Sequence, residues 1–228
     1  MRDPPRMDDA FDGLRPEVFE WFAGLERDNS KAYFTATRER YETEVRGGLQ
    51  AMLDELGRTF GGEVKLFRQQ RDLRFAPAGS APYKTRTYGL LHGVRGPAAA
   101  LYAQLSSQGL YAGTGYHQLA RDQLDRFRAA IADDRTGPGL VEATGAARAA
   151  GLEVVGASLP TAPRGYPRDH PRIELLRHTA LVAGRTLPGT GGIGRDEALE
   201  HVAGAWRAAE PLNAWLEEHV GPSAAPRR

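Results

Sequence analysis

Val64-Lys65-Leu66-Phe67-Arg68-Gln69-Gln70-Arg71-Asp72-Leu73-Arg74-Phe75 is the stretch on which the fold turns. Read with the two-residue period of a strand, Phe67, Leu73 and Phe75 share one face with Arg71, while Arg68, Gln70, Asp72 and Arg74 share the other. One face reads as core and the other as a polar site. The same period runs on to about Tyr116, broken by Gly and Pro: a loop over residues 76–82, another over 95–97 and a tight turn at Gly109. That is the pattern of an antiparallel meander, with strands expected over residues 64–76, 85–94, 100–107 and 110–116.

Helical spacing flanks this meander on both sides. Leu14, Val18, Trp21, Phe22 and Leu25 predict an amphipathic helix ending near Arg27, with Pro16 tolerated in its first turn. Ser30 is placed to cap a second helix whose buried stripe is Phe34, Tyr41, Val45, Leu49, Met52, Leu53, Leu56 and Phe60, stopped by Gly61 and Gly62. Downstream, Leu119, Leu124, Phe127 and Ile131 predict a third helix, residues 139–150 a fourth, and Leu152 to Val155 a further strand. A Pro-rich connection over residues 159–170 leads to a short helix at 173–177 and a strand at 179–182. A last helix carries Ala198, Leu199, Val202, Trp206, Leu212, Trp215 and Leu216, and Pro211 should kink or split it. The expectation is one α+β domain over residues 11–220, its antiparallel sheet of four to five strands packed with helices from both chain ends. Residues 1–10 and 221–228 have the composition of disordered termini.

Composition bounds the function. The chain has 228 residues, 41% of them hydrophobic, enough for a sizeable core. Thirty basic residues oppose 29 acidic ones, leaving a net charge of +1, so no long-range field draws in nucleic acid or an anionic membrane. Nearly all positive charge is arginine, since lysine occurs only at Lys31, Lys65 and Lys84; any single Arg is therefore weak evidence. The absence of cysteine removes disulfides, thiolate metal sites and thiol catalysis, and no segment approaches the roughly 20 apolar residues of a membrane span. The reading is a cytoplasmic protein with no membrane partner and no cofactor.

Two clusters could carry chemistry. In the first, Arg68, Arg71 and Arg74 offer planar guanidinium forks suited to carboxylate or phosphate, Asp72 can orient them or act as a base, and Tyr83 and Lys84 lie just past the loop. The same charges also suit an internal ion-pair network. The second cluster is Arg164, Tyr166, Arg168, Asp169 and His170 in the Pro-rich connection, where Asp beside His can fix an imidazole tautomer for acid–base work. Against that, Asp169 suits an N-cap for a helix opening at Pro171. The glycines at 189, 191 and 194 satisfy G-x-G-x-x-G, but no βαβ unit follows and they read as a flexible loop. The six histidines are scattered without metal-ligand spacing. Tyr102, Tyr111 and Tyr116 on neighbouring strands would allow base stacking, although core packing and near-zero net charge argue against nucleic acid as partner.

Four segments in order resemble the bacterial family DUF2461: Phe11 to Leu14 with Asn29 and Tyr33-Phe34; Arg68 to Phe75 with Pro82-Tyr83-Lys84; Gly113 to Tyr116 leading into a helix with Arg126 or Arg128; and Pro163-Arg164-Gly165-Tyr166 with Asp169-His170-Pro171. They span roughly residues 11–184. Two places depart from the family's pattern: Ala78, Gly79 and Ser80 stand where it carries an Asp-Lys pair, and Pro160, Thr161 and Ala162 where it is basic. The resemblance implies a common fold and marks positions; it brings no activity with it. The sequence-level expectation is a small-anion site joining residues 68–84 to the 164–170 loop, binding or catalytic. Arg68, Arg71, Arg74, Tyr83, Lys84, Arg164 and Tyr166 would hold a phosphate or carboxylate, with Asp72 and His170 as the groups able to move a proton. The alternative is a protein-interaction or structural module whose Arg/Asp cluster is internal.

Overall fold

The computed structural model describes residues 11–74, 77, 79–94 and 101–224. They fall into two compact units: residues 11–94, 102–112 and 186–203 form the first, and residues 101, 113–185 and 204–224 the second. The expected positions of Phe75, of the turn at 95–97 and of the outermost termini lie outside the described residues.

The fold is α+β. A six-stranded antiparallel sheet has the order β2-β3-β4-β5-β7-β6, formed by β2 (Glu63–Leu66), β3 (Arg86–His92), β4 (Leu101–Ser106), β5 (Gly109–Tyr116), β6 (Glu153–Val155) and β7 (Leu181–Pro188). A separate pair joins β1 (Gly13–Leu14) to β8 (Ile193–Gly194). The sheet thus has more strands than the four to five expected, because the short apolar runs at 153–155 and 181–188 both join it. The glycine stretch read as a flexible loop ends in a strand: Leu14 pairs with Ile193 and Gly13 with Gly194. Two-residue strands are too short to leave a period in the sequence, which is why this pairing was not foreseen.

In the first unit, α1 (Pro16–Arg27) buries Val18, Phe19, Trp21, Phe22 and Leu25. Ser30 caps α2 (Lys31–Ala36) by accepting from the Tyr33 N–H at 3.1 Å. The predicted single long helix is instead broken into α2, a short α3 (Arg38–Arg40), a π-helical turn over Tyr41–Arg46 and α4 (Gly47–Phe60). The π-helical turn carries Tyr41 and Val45 into the core on the same stripe as Leu49, Met52, Leu53 and Leu56. Trp21 is the hub: its ring lies 5.1 Å from Phe22 and 5.0 Å from Tyr41, and its indole N–H donates to Thr37 Oγ1 at 2.9 Å. Helix α4 lies against one face of β2 and β3, so closely that a Cβ on Gly89 would collide with the Leu66 and Leu53 methyls.

In the second unit, α5 (Arg121–Ala132), α6 (Gly137–Ala149), α7 (Ile173–Arg177) and α9 (Glu210–His219) surround Phe127, Ile131, Leu140, Leu176 and Leu212. Pro211 does split the last helical run: α8 (Arg195–Ala208) ends before it and α9 begins around it. Arg172 closes the C-terminal end of α5, donating to the Ile131 carbonyl at 2.6 Å and the Ala132 carbonyl at 3.1 Å. The tail read as frayed from Gly221 is held as far as Ala224: the Val220 and Pro222 carbonyls accept from Arg126, and Ser223 and Ala224 donate to Asp122.

Candidate functional site

Strand β2 stops at Leu66, not near Ala76 as the alternation predicted. Its ladder with β3 runs from Glu63 opposite His92 to Leu66 opposite Gly89, and one further bond joins Phe67 N–H to the Tyr88 carbonyl. Beyond that the chain changes partner. Gln70 bridges Tyr83, Lys84 N–H donates to the Gln69 carbonyl at 3.0 Å, and Arg71 N–H donates to the Pro82 carbonyl at 2.9 Å. Pro82 has no N–H to continue such a ladder, so the pairing dies out there. Leu73, expected in the core, is 41% exposed, and Arg71 to Arg74 form an exposed arm.

A buried amide anchors that arm. Gln69 is 2% exposed; its Oε1 accepts from Thr87 Oγ1 at 2.7 Å and its Nε2 donates to the Lys84 carbonyl. Near Thr87, the Tyr41 phenol has its pKa pushed up chiefly by burial. On the other side Asn29 exchanges two bonds with the Tyr83 backbone, accepting its N–H at 3.0 Å and donating to its carbonyl at 3.2 Å. The Tyr83 ring stacks on Phe34 at 4.2 Å and is 7% exposed, so it is a core residue that fixes the loop. Gln69, Thr87 and Tyr41 were not among the predicted site residues. The signal was present for Gln69, an amide at the parity of Phe67 and Leu73.

The charged groups stand outside this anchor. Asp72 binds Arg74 through Nε at 2.9 Å and Nη2 at 2.5 Å, accepts its N–H at 3.2 Å, and lies 3.7 Å from Arg68. Side-chain exposures of 66, 40 and 78% for Arg68, Asp72 and Arg74 put this network on the surface. The Arg74 side chain, with its N–H, holds the Asp72 carboxyl below its usual range, which makes it a poor proton acceptor near neutrality. Lys84 is fixed differently: its ammonium donates to the Arg68 carbonyl at 2.6 Å and lies 4.8 Å from the Tyr88 ring centroid. Arg71 and Arg86 have no ion pair among the described residues. From Arg68 to Arg86 there are five cations and one carboxylate, a local charge of +4.

Beside the arm lies the face of the sheet turned away from α4. On it Phe67, Tyr88, Tyr102 and Tyr111 form a row across four neighbouring segments, with ring centroids 4.8, 5.6 and 6.0 Å apart. All four are half-buried, whereas Thr87, Gly89, Leu91, Ala103 and Leu105 on the opposite face are buried. Burial within the row pushes the Tyr102 pKa up, and its hydroxyl donates to Gln104 Oε1 at 2.7 Å. Lys65 lies 5.4 Å from the Phe67 ring. Tyr116 is not part of the row; in the second unit it donates to the Gly221 carbonyl at 2.9 Å.

The other predicted site residues belong to the second unit. Arg164, Arg168 and Asp169 are exposed and Tyr166 half-buried. Asp169 does not cap a helix at Pro171: α7 begins at Ile173, and His170 Nδ1 accepts the Arg172 N–H at 3.0 Å. A nitrogen that accepts cannot donate to Asp169, so the Asp–His pairing that would set the tautomer is not made through Nδ1. Among the described residues no group of three or more His, Asp or Glu is placed to hold a metal ion, and no helix is long and apolar enough to cross a membrane.

These features define an α+β protein with a buried amide anchor, a cationic surface arm and an aromatic sheet face. The chain belongs to the family described as "Conserved hypothetical protein (DUF2461)", whose match covers residues 17–215. Among curated proteins no match to the chain was found.

Proposed function

We propose that the chain is an anion-recognition protein, binding and not catalytic, whose site is formed by the cations Arg68, Arg71, Arg74, Lys84 and Arg86. The observation that carries this reading is the local charge of +4 on an arm held in place by Gln69 and Asn29, with the Lys84 ammonium fixed and Arg71 free of any ion pair among the described residues. Guanidinium and ammonium groups so placed accept carboxylate or phosphate oxygens by charge-assisted hydrogen bonds. Catalysis is the weaker reading because Asp72 is held in its ionised form by Arg74, and because His170 spends Nδ1 on a backbone N–H. Arg164 and Tyr166 are accordingly left out of the proposed site.

Calorimetric titration with tripolyphosphate and with citrate tests this, comparing wild type with Arg71→Gln and Lys84→Gln. Binding should weaken in both variants and fall as salt is raised from 50 to 200 mM, since exposed charges are screened over about 8 Å at physiological ionic strength. Binding that ignores both substitutions, or no binding by either anion, refutes the proposal.

A further inference from the structure

We propose that the anionic partner is an extended acidic polypeptide segment that lies across the row Phe67, Tyr88, Tyr102 and Tyr111 with its carboxylates towards Lys84 and Arg86; this rests on the reading of the arm given above. The orientation of the rings selects this partner over a nucleic acid. Phe67 and Tyr88 stack on each other, 4.8 Å apart and 29° from parallel, and Tyr102 follows at 5.6 Å and 36°. Their faces are spent on one another. A base inserted between two rings needs two stacking gaps of roughly 3.4 Å, about 7 Å in all, more than any spacing in the row. A single strand could therefore not thread its bases between the rings, and would have only outer ring faces and phosphate contacts to hold it.

What the row offers instead is ring edges, methylene-like flanks and tyrosine hydroxyls on a half-exposed sheet face. Tyr and Arg with such amphipathic surfaces are the side chains enriched at the centres of protein interfaces. The three spacings add to about 16 Å at most, the length of roughly five residues of extended chain at 3.3 Å each. Cations stand beside the first three rings: Lys65 at Phe67, Lys84 over Tyr88, and Arg86 close enough to act on the Tyr102 phenol. A segment with apolar residues over the rings and carboxylates towards Lys84 and Arg86 matches both parts.

The test is fluorescence anisotropy with a labelled twelve-residue peptide of alternating Glu and Leu, a twelve-residue polyglutamate and a twelve-nucleotide oligothymidylate. The proteins are wild type, Arg71→Gln, Tyr111→Ala and Tyr102→Phe. Tyr111 meets the row through Tyr102, so its truncation leaves the Phe67–Tyr88 and Tyr88–Tyr102 contacts in place, and Tyr102→Phe removes a hydroxyl while keeping the ring. The Glu/Leu peptide should bind more tightly than polyglutamate, and Tyr111→Ala should weaken it roughly tenfold while leaving tripolyphosphate binding unchanged. Indifference of the peptide to Tyr111→Ala, or oligothymidylate binding as tight and equally sensitive to it, overturns this inference. If tripolyphosphate still binds through Arg71, the anion reading survives that failure; loss of both overturns both.

Discussion

Replacing Gln69 with Leu keeps volume at a buried position but removes an acceptor for Thr87 Oγ1 and a donor to the Lys84 carbonyl. A buried polar group left without a partner costs about 1–3 kcal/mol. Both the Thr87 hydroxyl and the Lys84 carbonyl lose the partner that Gln69 supplies. The expected destabilisation is about 2–4 kcal/mol, which for a chain of this length lowers the melting temperature by roughly 5–15 °C. Urea denaturation of wild type, Gln69→Leu, Thr87→Val and the double variant measures it as a cycle. When both partners of a buried bond become apolar the penalty shrinks, so the double variant should be more stable than the sum of the single effects by about 0.5–3 kcal/mol. Effects that add to within about 0.5 kcal/mol would refute the claim that the amide and the hydroxyl act together to anchor the arm.

Arg74→Ala removes an exposed pair and should cost no more than about 1 kcal/mol in the same assay. Gly89→Ala drives a methyl into Leu53 and Leu66 and should cost about 1–3 kcal/mol. Asp122 has its pKa lowered to about 2 by Ser223, the Ala224 N–H and Arg126, against about 3.9 unfolded. Its contribution is fully present above pH 4 and is lost as pH falls towards 2; the protection of the Ala224 amide relative to its intrinsic exchange rate should fall in that window, and Asp122→Asn should remove the pH dependence. Asp72→Asn deletes the one negative charge of the arm while keeping an oxygen for the Arg74 N–H, so tripolyphosphate should bind more tightly; weaker binding would show that the carboxylate itself is needed.

Most of the fold was legible because apolar periodicity is a direct image of burial. The α1 stripe and the long stripe from Phe34 to Leu56 are buried where expected, Ser30 caps α2, Gly61 ends α4 and Pro211 divides the last helices. The misreadings share one cause, that alternation records which side a residue faces but not which strand it pairs with. Residues 67–74 alternate, yet their hydrogen bonds pass from Tyr88 to Pro82 and the strand ends. The β1–β8 pair and the π-helical turn leave no period at all. For the site, Arg68, Asp72 and Arg74 lie on the surface as the alternation of the stretch expects of a polar face, while the Tyr83 ring is held in the core against Phe34.

The aromatic row had a signal that arginine obscured. In a chain whose positive charge is almost all Arg, three lysines are exceptions, and two of them, Lys65 and Lys84, lie over Phe67 and Tyr88. Net charge argues against nucleic acid and anionic membranes as long-range partners because it averages over 228 residues, whereas recognition of a small anion at 0.15 M salt is decided within a Debye length of about 8 Å. An excess of four charges confined to Arg68–Arg86 is compatible with a total of +1 and acts only on a partner already in contact. Such a site gives little long-range steering and depends on the neighbouring surface for residence time. In the proposed recognition the arm and the aromatic row are therefore two halves of one requirement: the arm would select the sign of the partner, and the row would supply the contact area that brief electrostatic encounters lack.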